Sequence, residues 1–439
     1  MKIAVVGAGW AGLAAASECM ARGMSVTLYD ASHQPGGRAR GVVDPSLGEL
    51  DNGQHLFIGS YEKSLELIRR EVGADRLRDC FTRLPLWLES ADGRFRIRKQ
   101  QNPALPAFDD IWALWRAKGL TLKDKWGITN LLRRLRSAKP SQTASEITVQ
   151  QWLYQERQSF NSCRWLWYPL CLATLNTEPS RACASIFQKV LTDSLLSAKP
   201  DATNLLIPTC NLSDLWPIAV ARKAINRIGH VVRAITPQSD SVTIDGTPFD
   251  ACVLAVPPPS LMRLISGLPG FEVLVSELKE FTFRSIATCY VALDKAPNLP
   301  APLLMFDHAE IDPARHAQWA FDRNAFMRTP QKAQLSFVMS CADALPVQDD
   351  VDVARMLINQ LNRALPKPLQ GKILGARCFR EKRATFDAVP GLKRPGTKTP
   401  HRRIMLAGDW TDTGYPSVIE GAVISGIKTA DALQEMRGY

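Results

Sequence analysis

Near its start the chain reads Lys2-Ile3-Ala4-Val5-Val6-Gly7-Ala8-Gly9-Trp10-Ala11-Gly12-Leu13, and the same unit ends on Ser25-Val26-Thr27-Leu28-Tyr29-Asp30. Residues 3–7 read as a short buried strand. A G-x-G-x-x-G turn follows, then an Ala-rich helix to about Met20, a stop at Gly23 and a second strand over 25–30. Each glycine has a physical task. Gly7 allows the tight turn, Gly9 lets the backbone approach a pyrophosphate, and Gly12 lets the helix pack on the strand. The helix start, at Trp10 and Ala11, presents free amides and a positive dipole to the phosphates. Asp30 ends the second strand, where a carboxylate can bond ribose hydroxyls. The order strand, glycine turn, helix, strand, acid therefore predicts a dinucleotide-binding α/β unit.

Composition sets the bounds around that unit. A length of 439 residues suggests two or three domains, and 46% hydrophobic with 22% charged residues is globular in proportion. Ten cysteines with no CxxC pair argue against a disulfide framework or a zinc ribbon and predict single buried thiols in a reducing compartment. No His/Cys/carboxylate cluster has metal spacing, so no metal is expected. No apolar run is long enough for a transmembrane helix. The apolar stretch from Ile3 to Ser17 is interrupted by glycines and leads into Glu18, which suits a fold element better than a targeting segment. The net charge of +11 admits nucleic acid, an anionic membrane or an acidic substrate. No nucleic-acid recognition module accompanies it, so no nucleic-acid partner is expected.

Two further stretches refine the ligand. Gly36-Gly37-Arg38-Ala39-Arg40 adds a second glycine turn with an arginine fork suited to phosphate oxygens. At the far end, Ile404-Met405-Leu406-Ala407 reads as a buried strand, followed by Gly408-Asp409-Trp410-Thr411 and by Ser417-Val418-Ile419-Glu420-Gly421-Ala422 opening a C-terminal helix. Gly421 and Gly426 inside that helix each cost about 1 kcal/mol relative to alanine, which close approach to a ligand or another backbone would explain. Together these motifs resemble the flavoproteins of the amine oxidase and phytoene desaturase superfamily. The resemblance implies FAD as cofactor, with Gly37 and Arg38 reaching the pyrophosphate and Asp409 the ribityl and phosphate region. Gly408, Ser417, Val418 and Ala422 would lie along the flavin, and Val232 over the adenine. Both chain ends must then meet on one FAD.

The implied architecture is α/β: a discontinuous Rossmann-like FAD-binding domain of the GR2 type, an α+β substrate domain and a helical membrane-facing insertion. The boundaries read as 1–75, 201–257 and 381–439 for the FAD domain, 76–200 for the mostly helical insertion and 258–380 for the substrate domain. Residues 229–235 and 249–257 read as short strands returning to the FAD domain.

Within the superfamily, Thr288 stands where amine oxidases carry a lysine near the flavin, and Val418 where they place a cage aromatic. Both departures speak against amine oxidation. Asp51-Asn52-Gly53-Gln54-His55, Trp167 through Thr177, and Glu381-Lys382-Arg383-Ala384-Thr385-Phe386 resemble the hydroxysqualene dehydroxylases, also known as squalene-associated FAD-dependent desaturases. That resemblance implies replacement of an allylic hydroxyl by hydride from FADH2, in squalene and hopanoid synthesis. Gly53, Gln54 and His55 would form a strand flanking the flavin. His55 and Tyr415 are the candidate proton donors, with Asp412 behind them, and Trp165, Trp167 and Tyr168 could face an allylic cation. A carotenoid-type desaturase running hydride the other way remains the main alternative, ahead of an amine oxidase and a flavin-free prenyl-lipid carrier.

A thirty-carbon substrate has a negligible free concentration in water, at about 0.8 kcal/mol per CH₂. The enzyme must collect it from a membrane or a partner enzyme of squalene synthesis. Residues 112–139 carry eight Lys or Arg against one Asp, interleaved with Trp112, Trp115 and Trp126. That composition suits an interfacial segment on anionic lipid, or equally an amphipathic helix pair with its Trp side chains in the core. The expected location is cytoplasmic, peripheral to the inner face of the membrane.

Overall fold

In a computed structural model, which describes residues 1–100, 109–137, 142–310, 316–327, 333–345 and 349–437, one layer is a five-stranded parallel sheet. Its order is Ile225–Ile228, Ser25–Asp30, Lys2–Val6, Ala251–Leu254 and Ile404–Leu406. Ile3, Ala4, Val5 and Val6 are all buried, as expected of a parallel strand covered on both faces. The sheet draws on both chain ends and on the middle.

The dinucleotide helix Trp10–Ala21 and the C-terminal helix Ile419–Arg437 pack on each other beside this sheet. Gly426 permits the contact: a Cβ there would lie 2.4 Å from the Ala11 carbonyl oxygen and 2.7 Å from the Ala15 nitrogen. Close backbone approach thus accounts for this helical glycine.

The second layer is antiparallel, in the order Leu303–Met305, Trp319–Asp322, Ala333–Ser340, Phe283–Leu293, Ile373–Phe386. Alternation gives it two apolar faces. Ala287, Cys289 and Val291 share a core with Val353, Ala354, Leu357, Ile358 and Leu361, the buried stripe of helix Asp350–Ala364. Ile286 and Thr288 point the other way, toward the site described below. Helices between residues 109 and 195 form the third part. Among the described residues no helix is long and apolar enough to cross a membrane.

Four local expectations change. Gly229–Ala234 is irregular, and the strand beside Ser25–Asp30 is Ile225–Ile228 instead. The Asp245 carboxylate takes the Arg233 and Ala234 amides at 3.0 and 2.8 Å, so no ladder can use them. Residues 52–56 are likewise a loop, not a strand. Cys289 and Cys378 lie directly opposite on neighbouring antiparallel strands, their Cα atoms 4.1 Å apart, and are disulfide-bonded. The expectation of single thiols fails at this pair. The boundary read at 380/381 falls inside the strand Ile373–Phe386.

Candidate functional site

A continuous cavity of about 990 Å³ runs from the glycine turns to the antiparallel sheet. At one end Gly7 turns with φ +113°, and its absent Cβ would otherwise meet the Ala255 carbonyl oxygen at 2.4 Å. Gly12 packs against Gly7, where a Cβ would lie 1.9 Å from the Gly7 oxygen, so it supports the turn without lining the cavity. Gly9 is different: no heavy atom lies within 4 Å of its would-be Cβ, and it lines the cavity. No side chain caps the helix at Gly9, which leaves its first amides to a ligand. The second turn abuts the first, with the Gly36 amide on the Ala8 carbonyl at 2.8 Å and Gly37 against Gly9.

The Asp30 carboxylate accepts from the Ala8 amide at 2.5 Å and the Ser32 amide at 2.7 Å. These bonds fix it on the cavity wall and leave lone pairs for a ribose. Arg38 bonds Asp409 and donates to the Ala384 carbonyl at 2.7 Å. This ion pair joins the two ends of the chain across the cavity. Gly408, Asp409, Ser417, Val418 and Ala422 line the same space, as do Trp10, Ala11 and, from the irregular segment, Val232. An open glycine, an uncapped helix start, an acid at the second strand and a paired arginine together fit an FAD pyrophosphate and ribose.

The middle of the cavity is walled by Gly53, Gln54 and His55. Thr288 is buried and its Oγ1 accepts the Gln54 amide at 3.2 Å. The Gln54 side-chain oxygen accepts from Arg323 at 3.2 Å and Ser336 at 2.9 Å. The His55 ring sits with Nδ1 2.8 Å from the Gly53 carbonyl oxygen, so Nδ1 donates. Burial pushes the His55 pKa down to about 4, against the two nearby carbonyls of Gly53 and Arg38 that favour the protonated ring. His55 is therefore neutral near pH 7. Its one N–H is held on the Gly53 carbonyl, and the ring walls the middle of the cavity.

Tyr415 lies elsewhere. It does not line the cavity: its hydroxyl donates to Asp193 on helix Ala184–Leu195, and burial raises its pKa further. The chain turns at Gly414, with φ +80°, just before it. Asp412 pairs with Arg394 at 3.3 Å, also away from the cavity. Trp165 stacks on Phe95, and Trp167 donates to Gln158 at 2.8 Å, both within the core. Tyr168 packs edge-on against His308. None of the three faces the cavity.

The floor of the far end comes from the antiparallel sheet. Ile286 pairs with Ser340, Thr288 with Val338, Val338 with Trp319 and Leu303 with Phe321, and all line the cavity. Leu86, Leu88, Leu170, Phe187, Leu191 and Leu205 complete an apolar chamber. Glu381, opposite Ile286, is the one carboxyl group among the described lining residues outside the nucleotide end. The strand Trp319–Asp322 is buried at every residue, so only register shows which of its side chains face the cavity.

The comparisons with known proteins fit this geometry. Residues 10–434 match the family of flavin containing amine oxidoreductases. The hydroxysqualene dehydroxylase of Rhodopseudomonas palustris is 30% identical, over 97% of each chain. The chain belongs to the flavin containing amine oxidoreductases, in the hydroxysqualene dehydroxylase group. FAD is its cofactor. The hydroxysqualene dehydroxylase of Sinorhizobium fredii is 27% identical over 98% of each chain, and a probable zeta-carotene desaturase of Synechococcus elongatus 23% over 99% of each. A triple mutant of putrescine oxidase has the same fold, with TM-score 0.73 at 16% identity over 99% of each chain. This flavin containing oxidoreductase therefore shares its frame with an amine oxidase but has Thr288 in the cavity wall.

Proposed function

We propose that the chain is a hydroxysqualene dehydroxylase in activity as well as in kinship. The observation that carries this reading is the continuity of the cavity: the FAD cradle opens directly into a chamber of Leu, Phe, Trp and Val. Reduced FAD held in the cradle supplies hydride. The overall change is an allylic alcohol plus hydride plus a proton giving a hydrocarbon and water; the C–O bond breaks and a C–H bond forms at the same carbon.

The residues divide that task. The floor of Ile286, Val338, Trp319 and Phe321 binds and orients a polyprenyl chain and excludes water. The Thr288 hydroxyl accepts from the Gln54 amide, and no hydrogen bond donated by it is seen among the described residues. It is free to donate to the departing oxygen. Arg323 and Ser336 hold Gln54, and so hold the 53–55 wall, through its side-chain oxygen.

A desaturase uses the same cradle and chamber in the opposite direction, and product analysis separates the two. The reduced holoenzyme with hydroxysqualene should give squalene, and the oxidised holoenzyme with phytoene should give no new double bonds. The converse pair of results would make it a desaturase.

A further inference from the structure

We infer that helices Asp109–Trp115 and Leu122–Ser137, with the neighbouring Tyr154 and Phe160, form a docking face for an anionic lipid bilayer. Among the described residues, six of the eleven large apolar side chains that are exposed fall within this short stretch: Ile111, Trp112, Leu122, Trp126, Tyr154 and Phe160. Trp112 and Trp126 are each 57% exposed, Leu122 68% and Phe160 72%. The core-packing reading of these tryptophans is thereby set aside. The inward side of the second helix is filled by Ile128 and Leu131 instead.

The patch is one surface rather than scattered residues. Trp115 and Trp126 meet edge to face at 5.2 Å, and the Lys125 ammonium donates to the Trp115 carbonyl at 2.8 Å, which locks the two helices together. Ser159 and Asn161 bond Asp124 at 2.5 and 2.8 Å, which brings Phe160 beside them. Leu122, Trp126 and Arg133 share one stripe of the helix, at spacings of one turn and three turns.

Charge selects the occupant. Lys123, Arg133 and Arg136 are exposed and meet no carboxylate among the described residues. Arg134 pairs with Glu156 at 2.7 Å, and Lys139 lies outside the described residues. Unpaired cations beside exposed Trp, Leu and Phe complement lipid phosphates above acyl chains. A neutral apolar groove on another protein would not call for the cations.

The face also sits next to the chamber. Asp110, beside Ile111 and Trp112, accepts from Thr203 at 3.0 Å, and Thr203 lines the cavity. Helix Leu122–Ser137 packs on helix Ala184–Leu195, whose Phe187, Val190 and Leu191 line it too. A ligand dissolved in the bilayer would reach the chamber over one layer of helix. The inference stands whichever polyprenyl compound the chamber takes.

The test is flotation of the FAD-loaded protein with phosphatidylglycerol-containing vesicles and with pure phosphatidylcholine vesicles. Binding should favour the anionic vesicles and fall as salt rises. Trp112→Ser with Trp126→Ser should weaken it about tenfold. Lys123→Glu, Arg133→Glu and Arg136→Glu together should weaken it roughly 100-fold. Both variants should keep their flavin absorbance. Wild-type protein that binds neither vesicle, or binds both equally at all salt concentrations, overturns the inference. So does binding that survives both substitutions, a dimer that the Trp variant dissociates, or an oligonucleotide bound in place of lipid. If a variant loses its flavin, the lipid and salt dependence of the wild type still decides.

Discussion

Two glycines three residues apart, Gly9 and Gly12, should fail in opposite ways when changed to alanine. Gly9 has φ −73° and ψ 176°, which any residue adopts, and open space where its Cβ would go. Gly9→Ala should leave apoprotein stability within about 0.5 kcal/mol, or raise it slightly by restricting the unfolded chain. The new methyl, however, projects where the pyrophosphate must approach. Overpacking of about 1–3 kcal/mol there would weaken FAD binding roughly 5- to 150-fold. Gly12→Ala is the reverse. Helix propensity returns about 1 kcal/mol, but a Cβ 1.9 Å from the Gly7 oxygen pushes backbone against backbone, which no side-chain rotation relieves. The apoprotein should lose about 2 kcal/mol net. Urea unfolding of the deflavinated proteins and fluorescence titration with FAD read the two effects separately. A Gly9→Ala protein that binds FAD like the wild type would refute the assignment of the cradle. A Gly12→Ala apoprotein of unchanged stability would refute the packing.

Other predictions concern pH, the chamber and the helix crossing. His55, with a folded pKa of about 4 against about 6.5 when unfolded, takes up more protons unfolded, so its contribution is present above pH 6.5 and lost as pH falls toward 4. Between pH 7.5 and 5 that loss is about 2 kcal/mol. Asp51 has the opposite sign: burial raises its pKa to about 7, so its contribution grows over the same interval. His55→Asn should stabilise the protein by about 2 kcal/mol at pH 5 relative to pH 7.5 when compared with wild type. Urea midpoints at the two pH values measure it, and parallel curves would contradict the neutral ring. Trp319→Ala should leave FAD titration unchanged while lowering kcat/KM for a thirty-carbon substrate at least about tenfold, since it strips the chamber floor. Gly426→Ala should lower the thermal midpoint, because the Trp10–Ala21 and Ile419–Arg437 helices must part. An unchanged midpoint would mean the crossing is not that close.

The cofactor end was legible in sequence because its demands are local. A turn that needs positive φ, a helix that must touch a strand and an acid at a strand end each leave a mark at fixed spacing, as at Gly7, Gly12 and Asp30. The meeting of the chain ends was legible too, through Gly37-Arg38 and Gly408-Asp409, and the Arg38 to Asp409 pair realises it. What the sequence did not disclose depends on register or on long-range bonds. Val232 reads as strand by composition, yet the Asp245 carboxylate occupies the adjoining amides. Cys289 meets Cys378 only because two strands align at those residues. Tyr415 is close to the flavin motif in sequence, but the turn at Gly414 sends its hydroxyl to Asp193. Leu303, Trp319 and Val338 lie in three strands, and nothing short of their pairing places them on one floor. His55 was legible as a neighbour of the cavity; its protonation state was not, because burial is a property of the whole fold.

In the proposed reaction this cavity passes hydride from reduced FAD to an allylic alcohol. The most direct measurement is anaerobic: photoreduce the holoenzyme, add hydroxysqualene in detergent, and follow flavin absorbance while extracting the product. The account predicts reoxidation of the flavin with one squalene formed per flavin. A flavin that stays reduced in the presence of bound hydroxysqualene, with no squalene released, would contradict it.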